Sequence, residues 1–132
     1  MRKHAVLAAA VLLLALVPAA GTAPQHGFAF GRLGGNIRPY TVSIASDGRV
    51  HVSGAASAGR TKLTTAQLGG LVRTAAAARF ASLPAMTNCP GTLPDVATTF
   101  IRMGAKTVRV HGNCVPRFAK VFTGLSHAVR LS

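Results

Sequence analysis

The sequence predicts an α+β fold, with an antiparallel sheet of about five strands and two helices packed on one face. Stretches in which apolar and polar residues alternate are typical of half-buried strands, and they fall into two groups. Each group is followed by a stretch with apolar residues at helical spacing, which gives the order β-β-β-α-β-β-α. A sheet of this kind buries one face, so both helices are most simply placed against that face. One cysteine pair adds a disulfide.

Three strands are predicted before the first helix. Residues 28–33 form the first strand, and Gly34-Gly35 then breaks it. Apolar and polar residues alternate over 40–44 and again over 50–52, as expected for strands with one buried face. The glycine pair lies between two strands, so we interpret it as a turn or bulge. A phosphate-binding loop needs a helix N-terminus after its glycines, and none follows here.

Register selects the turn that joins the second and third strands. A two-residue loop at Asp47-Gly48 would put the apolar residues of the two strands on opposite faces. A three-residue loop, 46–48 with a left-handed glycine, instead pairs Ile44 with Val50 on one face. We therefore predict the three-residue loop.

The first helix is predicted from its start signal and a periodic apolar stripe. Thr64 and Gln67 have the spacing of a capping box, and Leu63 with Leu68 has that of a hydrophobic staple. Gly69-Gly70 interrupts the stripe at a cost of about 1 kcal/mol for each glycine relative to alanine. We interpret this pair as a close approach of the helix backbone to the sheet, with a frayed or kinked helix as the alternative.

Two more strands, TTFIRM and KTVRVH, are predicted to form a second hairpin. A two-residue turn at Gly104-Ala105 pairs Ile101 with Val108 on the core face. The same register pairs Phe100 with Arg109 on the other face, where we expect a cation–π contact.

Cys89 and Cys114, the only cysteines, are predicted to form the disulfide because two cysteines in a small secreted domain usually pair. Cys89 lies in a predicted long loop, 81–96, and Cys114 precedes the second helix. Pro116 fits the first position of that helix. Its apolar stripe consists of Phe118, Val121, Phe122, Leu125 and Val129.

The N-terminus has the features of a secretory signal peptide over residues 1–23. Arg2 and Lys3 precede an apolar stretch, and small residues then allow cleavage after Gly21 or Ala23. An uncleaved anchor is the alternative. The remaining residues, 24–132, are predicted to form a single small α+β domain without a transmembrane segment, secreted, periplasmic or in the cell envelope.

The predicted domain is strongly basic. Removing Arg2 and Lys3 from the 15 basic residues leaves 13, against Asp47 and Asp95, for a net charge of +11. Eleven of the original 15 are Arg, the side chain whose planar fork fits phosphate and carboxylate. The charge predicts attraction to anionic surfaces, polymers or proteins, with solubility and Arg-rich codon usage as the alternative explanation.

A basic sheet face is the first candidate binding surface. The predicted registers direct five side chains to the face opposite the helices: Arg49, His51, Arg102, Arg109 and His111. Only Phe100 accompanies them. Sheets that bind single-stranded RNA carry several aromatic residues, so phosphate, sulfate or carboxylate is the expected ligand here.

A proline-stiffened loop is the second candidate surface, tethered at Cys89. Loops that are already ordered lose less entropy on binding. An alternative is that the disulfide only holds a long connection in place. The candidate binding residues are Pro90, Gly91, Thr92, Leu93, Pro94 and Asp95.

The sequence offers little for catalysis. Asp47 belongs to a hairpin tip and Asp95 to a loop, and no Glu is present. Ser57 in AASAG resembles a nucleophile elbow only by chance, because it lies in a small-residue loop. The histidines lack metal-ligand spacing. We therefore predict a non-enzymatic protein without a cofactor, metal or nucleotide.

The chain resembles a family of small secreted bacterial domains of unknown function. The residues that carry the resemblance are Gly34-Gly35, the hairpin TVSIASDGRV, the helix from Thr64 through Phe80, and PDVATTFIRM. This resemblance implies a fold and a location outside the cytoplasm, with no activity attached.

The strand–Gly-Gly–strand start and the helix ending in RFASL are also similar to emfourin, a proteinaceous inhibitor of thermolysin-like metallopeptidases. Residues 36–38 replace a small, apolar run of that family, and the leader and the cysteine pair are further departures. No inhibitory residue is carried over.

Two functions follow from these observations. The first is a protein-binding or protease-inhibitor-like module that uses the Gly-Gly turn and the loop over 84–95. The second is a binder of an anionic polymer or of the cell envelope that uses the basic sheet face. A small enzyme is the third alternative.

Overall fold

A six-stranded mixed sheet covered on one face by two helices makes up the part of the chain, residues 27–132, that the computed structural model describes. The predicted signal peptide, residues 1–23, lies outside the described residues. The elements are β1 (Phe28–Leu33), β2 (Tyr40–Ile44), β3 (Val50–Gly54), α1 (Thr65–Ala77), a 3₁₀ turn (Phe80–Ser82), β4 (Met86–Asn88), β5 (Thr98–Met103), β6 (Lys106–His111) and α2 (Pro116–Val129).

The sheet has one strand more than predicted, and that strand is parallel. Met86–Asn88, inside the predicted long loop, forms β4 and pairs in parallel with β6. The sheet order is β3-β2-β1-β5-β6-β4. The prediction of a purely antiparallel sheet was therefore wrong at this edge, whereas the α+β class with two helices and a disulfide is confirmed.

Strand β1 separates the two hairpins. It pairs in antiparallel fashion with β2 on one side and with β5 on the other. Both predicted hairpin registers are confirmed, because Ile44 lies opposite Val50 and Ile101 lies opposite Val108. Gly48 has a φ of +92°, the left-handed conformation that the three-residue loop requires.

Helix α1 begins as the sequence predicts. The Thr64 side chain accepts a hydrogen bond from the Gln67 backbone N–H at 3.1 Å, and the Gln67 side chain accepts one from the Thr64 N–H at 2.8 Å. The interpretation of Gly69-Gly70 was wrong, however. A Cβ placed on either glycine would have no atom of the sheet within 4 Å, and its nearest neighbours would be the Arg73 guanidinium nitrogens.

One hydrophobic core joins both helices to the same face of the sheet. Phe30, Val42 and Ile101 on the sheet and Leu125 on α2 have 1% exposure or less. Helix α2 starts with Pro116 as predicted, and its predicted apolar stripe is buried except at Phe122, which is half-buried. Neither helix within residues 27–132 is long and apolar enough to cross a membrane.

The disulfide connects β4 to the segment before α2. Cys89 and Cys114 are bonded, with their Cα atoms 5.6 Å apart. The Cys114 backbone N–H also donates a hydrogen bond to the Cys89 sulfur at 3.1 Å. The bond therefore fixes the first residue of the loop that runs from β4 to β5.

Candidate functional site: the loop end of the sheet

The Gly-Gly turn and the disulfide-tethered loop lie side by side at one end of the sheet. We call this surface the loop end: the turn over 34–37 between β1 and β2, and the loop over 89–96 between β4 and β5. The last row of the sheet beneath it runs Leu33, Thr98, His111, Asn88 across four strands.

Asn36 and Asp95 join the turn to the loop. The Asn36 backbone N–H donates to the Asp95 carbonyl at 2.9 Å, and its side-chain amide donates to the Asp95 carboxylate at 3.3 Å. Gly35 permits this approach, because a Cβ there would lie 2.5 Å from the Asp95 carbonyl oxygen at a φ of +66°. Asp95 therefore holds the two segments together through both its carboxylate and its backbone carbonyl.

His111 and the disulfide hold the loop from below. The His111 Nε2 lies 3.0 Å from the Val96 carbonyl oxygen, and since a carbonyl only accepts, this nitrogen carries the proton. The Cys89 N–H donates to the His111 carbonyl at 2.8 Å. The Thr92 hydroxyl lies 3.4 Å from the same carbonyl oxygen. The loop is therefore fixed at its start, middle and end.

The loop end concentrates exposed apolar side chains. Among the described residues, six large hydrophobic side chains are exposed, and three of them lie in these two segments: Ile37, Leu93 and Val96. A fourth, Leu33, is the last residue of β1 and lines the open sheet face. Leu93 has the largest exposed fraction, 64%, at the tip of the loop. Exposed apolar side chains gathered on one surface are typical of protein-binding sites.

A cleft of about 470 Å³ opens beside this surface, between the loop and β1. Arg32 lines this cleft. The guanidinium carbon of Arg32 is 6.0 Å from the centroid of the Phe122 ring. Burial raises the pKa of the neighbouring Tyr40 above its usual value of 10.0, and the Arg32 charge opposes that effect. Arg32 therefore places a positive charge next to the apolar surface.

The candidate basic residues share one face of the sheet but form two groups, on either side of β2 and β1. His51 lies on β3, whereas Arg102 and Arg109 lie on β5 and β6, with β2 and β1 between them. His111 shares that face but belongs to the loop end. Four strand spacings, roughly 19 Å, separate it from the strand that carries His51. Phe100 faces Arg109 across the strands, yet the expected cation–π contact is not formed there among the described residues.

Asp47 and Ser57, two other side chains considered for catalysis, make local contacts. Asp47 accepts a hydrogen bond from the Arg49 backbone at 3.0 Å and pairs with the Arg49 side chain at 3.4 Å. The Ser57 hydroxyl lies 2.7 Å from the Ser132 hydroxyl, where the C-terminal residues pair with the loop after β3. No group of three or more potential metal ligands occurs within residues 27–132.

Sequence reasoning identified the loop over 90–95 but missed its neighbours on the chain. Ile37 and Val96 contribute to the loop end, and Asn36 makes the contact that joins its halves. The signal available was the apolar Ile37 inside the turn, where a polar residue is the usual choice. No protein-family model, no curated protein and no solved structure matches this chain.

Proposed function

We propose that the protein is a secreted, non-enzymatic binding module that recognises another protein with its loop end, in the manner of a peptidase inhibitor. The observation that carries this proposal is the contact between Asn36 and Asp95. It unites two segments that are far apart in the sequence into one surface with three exposed apolar side chains, Ile37, Leu93 and Val96.

Preorganisation supports a binding role for this surface. Ordering a flexible loop on binding costs roughly 0.5–1.5 kcal/mol for each immobilised side chain, and a loop that is already fixed avoids much of this cost. The disulfide, the His111 hydrogen bond and the Asn36–Asp95 contact supply that order here. A protruding Leu93 fits a concave apolar site, such as the substrate cleft of a peptidase.

Site-specific crosslinking tests the proposal. A photoreactive benzoylphenylalanine replaces Leu93 at the loop tip in one sample and Val72 on α1 in another. Val72 is the matched control, because it is also an exposed apolar side chain but lies away from the loop end. Both samples are irradiated with the extracellular proteins of the producing cells, and adducts are identified by mass spectrometry.

We expect one protein to crosslink from position 93 and not from position 72. Excess unlabelled protein should suppress that adduct, whereas excess protein carrying Leu93→Ser and Ile37→Ser should not. The captured protein is then assayed for peptidase activity with and without the module. Identical adducts from both positions, or an adduct that the doubly substituted protein suppresses equally well, would rule out recognition by the loop end.

A further inference from the structure

The open face of the sheet forms a groove along β1. The residues of β1 on this face are Ala29 and Gly31, both small, with Leu33 at the end of the strand. On the neighbouring strands this face carries the hydroxyl residues Thr41 and Ser43 of β2 and the larger Phe100 and Arg102 of β5. Two concavities follow the groove, one of about 710 Å³ and one of about 250 Å³, and both are lined by Ser43 and Arg102. The central position of β1 therefore turns the predicted basic face into a channel with two walls.

Both walls of the groove are basic. One row across the sheet runs His51, Ser43, Ala29, Arg102, which puts the imidazole and the guanidinium on opposite sides of the floor. Three strand spacings, roughly 14 Å, separate the strands that carry them. Arg49 extends the first wall beyond the start of β3, and the larger concavity touches it.

No carboxylate neutralises the second wall. Asp95 belongs to the loop end, and Asp47 pairs with Arg49 in the one ion pair of residues 27–132. An exposed pair of this kind contributes about 0–1 kcal/mol, so an anionic ligand can compete for Arg49. Arg102 and Arg109 are exposed and have no ion-pair partner in the described part of the chain.

The spacing of the wall charges fits a chain of phosphates. Arg102 lies opposite Thr107, and Arg109 is two residues further along the same strand as Thr107. The backbone positions of diagonal neighbours of this type are about 7–8 Å apart, and their flexible side chains can place the two guanidinium groups on successive phosphates of an extended phosphodiester chain. The hydroxyls of Ser43 and Thr107 on the same face can donate to phosphate oxygens between the charges.

The groove lacks the stacking surface that nucleobases need. Phe100 is the one aromatic residue of the open face, and its ring lies against Gly31, where a Cβ would come 3.1 Å from a ring carbon. Proteins that bind single strands without sequence preference stack successive bases on several aromatic rings. The ligand that this face fits is therefore a phosphodiester backbone alone.

We propose that the groove along β1 binds an extended phosphodiester chain that carries no bases. This site lies on the open face of the sheet, and Ile37 and Leu93 of the loop end do not line it. The probe is a fluorescein-labelled oligonucleotide made only of abasic sites, with an oligothymidylate of the same length beside it. Binding is measured by fluorescence anisotropy at several salt concentrations.

The groove variant is Arg102→Gln with Arg109→Gln. Its matched control is Arg73→Gln with Lys120→Gln, which removes the same charge from exposed positions on the two helices. We expect the groove variant to bind the abasic chain at least tenfold more weakly. Its plot of log affinity against log salt should be shallower by about 1.4, since each lost phosphate contact on a single strand contributes about 0.7. The control should change affinity less than about threefold.

Two results would overturn the proposal. If the groove and control variants weakened binding of the abasic chain equally, the attraction would come from the net charge of the protein and not from a defined site. Tenfold tighter binding of the oligothymidylate would mean that bases are recognised. Circular dichroism of both variants verifies that they are folded. The Leu93→Ser variant should bind the abasic chain as tightly as the original protein does. Loss of the groove proposal would therefore leave the loop-end proposal unaffected, and the reverse also holds.

Discussion

Replacing Gly69 and Gly70 by alanine should stabilise the protein. A Cβ at these positions would lie 3.4 Å and 3.8 Å, respectively, from nitrogens at the flexible end of Arg73, so it fits without moving the backbone. Alanine is favoured over glycine inside a helix by about 0.8–1.0 kcal/mol per residue, and the two changes together contribute about 1.8 kcal/mol. Since 1 kcal/mol corresponds to about 4–8 °C in a domain of this size, Tm should rise by roughly 7–14 °C.

Urea titration and thermal melting, both followed by far-UV circular dichroism, measure this effect. Gly31→Ala is the contrasting variant, because a Cβ on that β1 residue would collide with the Tyr40 carbonyl oxygen and lower stability. An unchanged or lower urea midpoint for Gly69→Ala/Gly70→Ala would refute the reasoning. That result would mean that Gly69 and Gly70 are needed for a close contact or for a kink in the helix.

Two further predictions concern the disulfide and the single tyrosine. Replacing Cys89 and Cys114 by alanine should lower the free energy of unfolding by about 3.5 kcal/mol. This value is the closure entropy of a loop with a sequence separation of 25. An unchanged urea midpoint would contradict it. Burial raises the pKa of Tyr40, so the folded state holds the phenolic proton more tightly than the unfolded state. The resulting stability is fully present below pH 10.0 and is lost as pH rises through the folded pKa. Phenolate absorbance of the folded protein should titrate above that of the urea-unfolded protein, and Tyr40→Phe should retain more of its stability at alkaline pH; coincident titrations would exclude the effect.

The hairpins could be predicted from the sequence because local pattern and turn geometry determine them together. Ile44 and Val50 share a face only with a three-residue turn, and the structure has that turn. Strand β4 was missed because three residues between Pro84 and Pro90 are too few to show alternation, and its pairing with β6 depends on a segment far along the chain. The position of β1 between the two hairpins likewise depends on its pairing with the distant strand β5, which no local sequence pattern predicts.

The candidate site was predicted in its parts but not in its assembly. The loop over 90–95 was recognisable from its prolines and its cysteine. Its union with the Gly-Gly turn through Asn36 and Asp95 required the three-dimensional arrangement, because these residues are 59 positions apart. The separation of His51 from Arg102 by two strands is a second consequence of the sheet order.

The central place of an N-terminal strand also determines when this chain can fold. Strand β1 is made early, yet one of its edges stays open until β5, residues Thr98–Met103, has been synthesised. Contacts between such distant segments slow folding, because the chain must close a long loop before it gains the pairing energy. The sheet is therefore completed only after β5 and β6 have been synthesised. Until then, β1, β2 and β3 lack the strand pairing that joins them to the rest of the sheet.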